Sequence, residues 1–187
     1  MTMSAGLLRH RFCCLLLCCL PLLAAAQAAP PHVAAEIADA RLSGQGEFRW
    51  LGIRLYDARL WLGPAGYRKQ APAAAKFALE LRYARALKGE RIAEASLDQI
   101  RKLEIGSPAQ HAQWLEAMKR LFPDVGNGTR LTGVFLPGEG ARFYRDGEPL
   151  GEIRDARFAD AFFAIWLDPR TSAPALRTAL LGEARSE

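Results

Sequence analysis

The order of hydrophobic periods constrains this chain more than any other feature. Phe77, Leu79, Leu81 and Tyr83 alternate with Ala78, Glu80 and Arg82, the pattern of a half-buried strand. From Glu90 the period lengthens, and Ile92, Leu97, Ile100 and Leu103 form a helical stripe ending near Gly106. Ser107-Pro108-Ala109-Gln110 opens a second helix, with Ser107 as N-cap, proline at the first helical position and Gln110 placed to complete a capping box. Its apolar face is Trp114, Leu115, Met118, Leu121 and Phe122. Strand signals return at Arg130–Leu136, Ala141–Tyr144 and Leu150–Ile153, the last two joined by the hairpin dipeptide Asp146-Gly147. Asp155 then caps a helix carrying Phe158, Phe162, Ile165 and Trp166, and Ser172 starts a short last helix stopped by Gly182. Strands, two helices, strands, two helices predict an α+β fold, an antiparallel sheet with helices on one face.

The N-terminal part of the sheet is harder to read. Phe48 and Trp50 share one face and Ile53 and Leu55 share one face, but the pairs are out of phase by one residue. A bulge at Gly52 would put all four on one side and leave Arg49, Arg54 and Tyr56 on the other. Ala58, Leu60 and Leu62 extend the second face, so this strand is covered on both sides or faces a ligand on one.

Ahead of this lies an export signal. Arg9 and Arg11 precede an apolar run from Phe12 to Leu23, and small residues around Ala26 and Ala28 offer cleavage sites. The apolar run is too short to span a bilayer, so the expectation is a signal peptide over 1–28 and a periplasmic mature protein without a stable membrane span. Residues 29–43 read as a leader, kept extended at its start by Pro30-Pro31, with the domain over 44–187. The 159 residues left from 187 suffice for one well-packed domain.

Removal of the signal takes all four cysteines (Cys13, Cys14, Cys18 and Cys19), which excludes thiol catalysis, thiolate metal sites and a disulfide scaffold. It also takes two of 25 basic residues and no acid, so with 20 acidic residues the mature charge falls from +5 to +3. That balance has no basic run to follow a phosphate backbone, and nucleic acid is excluded as a partner. His32 and His111 are the histidines that remain, too few and too far apart for a histidine metal centre or a Ser-His-Asp triad. No nucleophile elbow or phosphate loop is present, and Gly44-x-Gly46 lacks the following helix of a dinucleotide fingerprint. The expectation is no metal and no cofactor. Nothing in the sequence sets an oligomeric state.

One series of segments resembles the chalcone isomerase-like family. It begins with Gly44-x-Gly46-x-x-Arg49 and Gly52-Ile53-Arg54-Leu55-Tyr56-Asp57-Ala58-Arg59-Leu60-Trp61. It continues through Leu81-Arg82-Tyr83, Gly133–Pro137, Arg142–Gly147 and Phe158–Leu167, covering about Gly44 to Gly182. The resemblance implies an open-faced sandwich, a large antiparallel sheet covered by helices. In the family's enzymes an arginine assists ring closure with threonine hydroxyls and a tyrosine/asparagine pair. The arginine matches Arg49. The first threonine position matches Tyr56, as in the fatty-acid-binding branch, and the helical threonine matches Ile165, which has no hydroxyl.

The resemblance thus implies a small amphiphilic partner, a fatty acid or similar carboxylate held by Arg49 and Tyr56. Ala58, Leu60, Phe162 and Ile165 are the candidates to enclose its tail. An isomerase or intramolecular lyase acting on a phenolic or cyclic substrate, with Arg49 stabilising an oxyanion, stays open at this point, as does a ligand-free interaction module.

Overall fold

A computed structural model describes residues 27–67 and 74–182. The signal peptide expected over 1–28 lies, up to residue 26, outside the described residues. Six strands form one antiparallel meander: β1 (Arg41–Trp50), β2 (Ile53–Leu62), β3 (Phe77–Tyr83), β4 (Arg130–Leu136), β5 (Gly140–Arg145) and β6 (Glu148–Ile153). Between β3 and β4 the chain makes α2 (Gly89–Lys102) and α3 (Pro108–Leu121); after β6 come α4 (Ala156–Leu167) and α5 (Pro174–Leu180). The α+β class and the helix-covered sheet stand as expected.

Local signals place the helices. Ser107 and Gln110 form the reciprocal capping box that starts α3, with the Gln110 N–H donating to Ser107 Oγ at 3.3 Å and the Ser107 N–H to Gln110 Oε1 at 2.9 Å. Asp155 caps α4 by accepting from the Phe158 N–H at 3.1 Å, and its second oxygen accepts from Trp114 Nε1 at 2.8 Å. One carboxylate therefore starts α4 and ties it to α3. The N-cap of α5 is Ala173, so Ser172 lies just outside that helix.

Three sequence expectations change. Leu51 and Gly52 both have positive φ, 49° and 78°, so Gly52 belongs to a two-residue reverse turn and not to a bulge. The chain doubles back there, and β1 pairs with β2. A bulge does exist, at Leu55: Phe48 opposes Tyr56, and Arg49 opposes Arg54, leaving Leu55 as the extra residue. Tyr56 accordingly shares a face with Phe48, their rings stacked at 5.1 Å, and not with Arg49 and Arg54.

The third change concerns the leader. Pro31 occupies the first helical position of α1 (Pro31–Glu36), where a proline's fixed φ favours a helix. Val33 and Ile37 pack with Trp61, Ala78, Val134 and Leu136 in a second small core on the sheet face opposite the other helices. Arg142 and Tyr144 hold Glu36, the tyrosine hydroxyl donating to Glu36 Oε1 at 2.6 Å. The leader is part of the domain, and β1 begins at Arg41.

The principal core lies between the sheet and α2–α5. Phe77, Phe135 and Phe163 stack or meet edge to face within 5.7 Å, and Phe143, Phe158 and Phe162 form an adjoining cluster. Helix α5 crosses β1 very closely: a Cβ on Gly44 would come 2.0 Å from the Ala179 carbonyl oxygen. The Gly44-x-Gly46 pattern makes room for a helix backbone.

Candidate ligand-binding site

Where α2 stands off from the sheet, the principal core opens into a cavity of about 760 Å³. That volume lies in the range of roughly 300–1,000 Å³ common to small-molecule sites. Its floor is the inner face of β2–β5, including Leu79, Leu81, Leu131 and Gly133. Glycine at 133 keeps this floor low, because a Cβ there would meet Phe163 and Phe143 at 3.2 and 3.3 Å. Phe162, Phe163, Ile165 and Trp166 of α4 form one wall. The opposite wall is one stripe of α2, from Arg91 through Ala95 and Gln99 to Lys102.

Polar groups are few and sit in particular places. Tyr56 is partly buried against the apolar core, and Trp166 Nε1 donates to its hydroxyl oxygen at 3.0 Å. Burial raises the Tyr56 pKa well above the ordinary phenol value, against the opposing pull of the Trp166 bond, so the phenol stays protonated. Having accepted from the indole, its O–H finds no acceptor among the described residues. Tyr83, the cross-strand partner of Tyr56, is likewise raised by burial and then by Tyr56. Its hydroxyl has no hydrogen-bond partner among the described residues. Two phenolic donors thus stand side by side on the cavity floor.

Arg49 lies at the rim, half exposed. Its Nε donates to Glu47 Oε1 at 2.6 Å and its Nη1 to the Gly52 carbonyl at 3.1 Å. The Glu47 contact raises the Arg49 pKa, so the group is a fixed cation. On the α2 side Arg91 pairs with Glu94 at 2.9 Å, while Lys102 has no ion pair among the described residues. Gln99 accepts from Ser172 Oγ at 2.6 Å, linking α2 to the segment between α4 and α5.

Of the six residues singled out in the sequence, Arg49, Tyr56, Phe162 and Ile165 line this cavity. Ala58 and Leu60 are fully buried opposite Gly46 and Gly44, in the part of the sheet that α5 covers, and lie outside the lining. The sequence reading missed Tyr83 and the α2 stripe. Tyr83 stood out there only as a strand residue, and Arg91, Asp98 and Lys102 have the composition of a solvated helix face. Among the described residues no cluster of three or more metal-ligating side chains occurs, and no helix is long and apolar enough to cross a membrane.

An open-faced α+β sandwich with an apolar cavity between sheet and helices defines the class of protein. A family model described as chalcone isomerase-like matches residues 25–182, a span that includes every described residue, and the protein belongs to that family. An uncharacterized protein of Haemophilus influenzae (strain ATCC 51907 / DSM 11121 / KW20 / Rd) is 27% identical over 153 residues, covering 82% of this chain and 73% of that one. Among solved structures, the Arabidopsis thaliana fatty-acid binding protein AtFAP1 superposes with a TM-score of 0.60 at 13% identity, covering 78% of this chain and 88% of the other. At that identity the likeness is one of fold.

Proposed function

We propose that this protein is an exported, non-catalytic carrier of a fatty acid or a similar amphiphilic carboxylate. The observation that carries the reading is the Tyr56 hydroxyl. It is neutral, lines the apolar cavity and is oriented by Trp166, with its proton available to an acceptor that the described residues do not supply. An unmet donor in such a cavity suits an anionic or carbonyl oxygen. The AtFAP1 fold likeness supports the same class of ligand.

In this reading the tail occupies the space over Leu79, Leu81, Phe162 and Ile165. The carboxylate meets Tyr56 and Arg49 at the hairpin end. Arg49 exchanges Glu47 for the ligand; both groups are half exposed, and exposed ion pairs exchange partners at little cost. Each buried methylene contributes about 0.8 kcal/mol, so a tail of ~12 carbons brings a gross ~10 kcal/mol. A charged hydrogen bond adds about 1.5–3 kcal/mol. The tail sets affinity and the polar end sets orientation, with the cost of association subtracted from both.

Native mass spectrometry of the mature protein from its own periplasm, followed by solvent extraction, tests the reading. A co-purifying fatty acid that is lost in Tyr56→Phe/Arg49→Ala supports it. A folded, empty protein that takes up no added fatty acid contradicts it.

A further inference from the structure

The reverse turn between β1 and β2 carries a second feature. Trp50, Leu51 and Ile53 are 57%, 85% and 50% exposed, and they are the large hydrophobic residues left exposed among the described part of the chain. Gly52 completes an apolar tetrapeptide, bracketed by Arg49 and Arg54. Leu51 is also an expensive choice for its position. With φ at 49° it sits in the left-handed region, where a bulky side chain is disfavoured and Asn or Asp before Gly is the usual solution. An exposed leucine held there neither packs a core nor suits the turn.

The tip adjoins the cavity. Trp50 and Arg49 line it while remaining more than half exposed, so the rim and the hairpin tip are one structure. We propose that this tip docks on an anionic phospholipid bilayer, placing the cavity mouth against the lipid from which the ligand is taken. The inference rests on the carrier reading above for its purpose, but not for its geometry. Three side chains on a convex tip fall short of the ~800 Å² per partner that a stable protein interface buries. A bilayer needs no complementary surface. An indole suits the headgroup level, and the arginines beside it, Arg49 paired with Glu47 and Arg54 with Asp57 and Glu47, are in exposed ion pairs that can exchange a carboxylate for a lipid phosphate at little cost. The chain's net charge of +5, or +3 without the first 28 residues, favours approach to an anionic surface.

The test uses Trp50 as its own reporter, because Trp61, Trp114 and Trp166 are 0%, 2% and 6% exposed. The protein is mixed with fatty-acid-free vesicles of phosphatidylethanolamine and phosphatidylglycerol, 3:1 (about one-quarter anionic), with and without brominated acyl chains. Binding is expected to shift Trp emission to the blue and to bring quenching by the brominated lipid. Each apolar side chain entering the interface is worth roughly tenfold in partitioning. Leu51→Asn with Ile53→Thr should therefore lose about 100-fold while keeping its uptake of soluble fatty acid, since neither residue lines the cavity. Asn-Gly is a favourable pair for this turn, so misfolding does not explain the loss.

The inference is overturned if the wild type ignores the vesicles or if the double variant partitions equally well. It is also overturned if light scattering finds a dimer that the double variant dissociates, which would assign the tip to self-association. Vesicle binding without fatty-acid uptake supports the docking surface and overturns the carrier reading. Uptake without vesicle binding does the reverse.

Discussion

The indole N–H of Trp166 donates to the hydroxyl of Tyr56 at 3.0 Å, across the space between α4 and β2. The bond fixes the direction of the phenol and uses one of its acceptor sites, so the hydroxyl faces the cavity as a donor. Tyr56→Phe should reduce fatty-acid affinity by ~10–100-fold, the worth of a hydrogen bond to a charged group. It also strands the Trp166 N–H, at a cost of about 1–3 kcal/mol in stability. Titration with a fluorescent fatty acid and urea unfolding measure the two effects separately. Unchanged affinity would remove Tyr56 from the site.

The turn residue Leu51 makes a prediction of opposite sign for folding. Replacing it with Asn relieves the left-handed strain at φ 49° and should raise stability by roughly 0.5–1 kcal/mol. Chemical denaturation of Leu51→Asn against the wild type checks it. A loss of stability would mean that Leu51 is held by packing.

Gly44 lies under α5, and Gly44→Ala forces a Cβ into the Ala179 carbonyl. Backbone cannot move aside as a flexible side chain can, so the cost should reach about 1–3 kcal/mol or more. Hydrogen exchange is expected to show the loss first in α5. Uniform loss across the sheet would contradict this local account.

Helix α1 should respond to acid in two steps. Burial lowers the His32 pKa from its ordinary 6.5, with Glu80 opposing and Arg130 assisting, and His32 Nε2 lies 3.0 Å from the Thr132 hydroxyl. A depressed histidine is neutral in the folded protein, so its contribution is full above pH 6.5 and falls as pH drops from 6.5 through the folded value. At Glu36, burial pushes the pKa up, but hydrogen bonds from Tyr144 and Arg142 outweigh it and the net shift is downward from 4.5. That contribution is full above 4.5 and is lost as pH falls through the lowered value. Stability measured from pH 7 to 3 should decline in both windows. His32→Gln should remove the upper decline, and Glu36→Gln should reduce the lower one, at a cost of about 1–3 kcal/mol. The lowered Glu47, Glu94, Asp124, Glu152 and Asp168 share that lower decline.

Much of the fold is legible in local signals. The Phe77–Tyr83 alternation, the Ser107 capping box, the Asp155 cap and the Asp146-Gly147 turn each carry their own physical instruction, and each element forms where its signal lies. The β1–β2 turn was illegible because Leu51-Gly52 lacks the asparagine or aspartate that announces such turns. Helix α1 was illegible because Pro30-Pro31 reads as extended chain, although Pro31 serves as a first helical residue. The cavity was legible only from its sheet and α4 sides. Which apolar residues line a space and which, like Ala58 and Leu60, pack beneath a helix depends on how closely α5 approaches. That distance is set by glycines whose role appears only in three dimensions.

The most direct measurement is the mass of the protein under native conditions, with its extract identified. We expect a species heavier than the polypeptide by one fatty acid or related carboxylate, and the polypeptide mass alone for Tyr56→Phe/Arg49→Ala, with circular dichroism unchanged. An unliganded wild-type protein that stays empty when offered fatty acids would contradict the account.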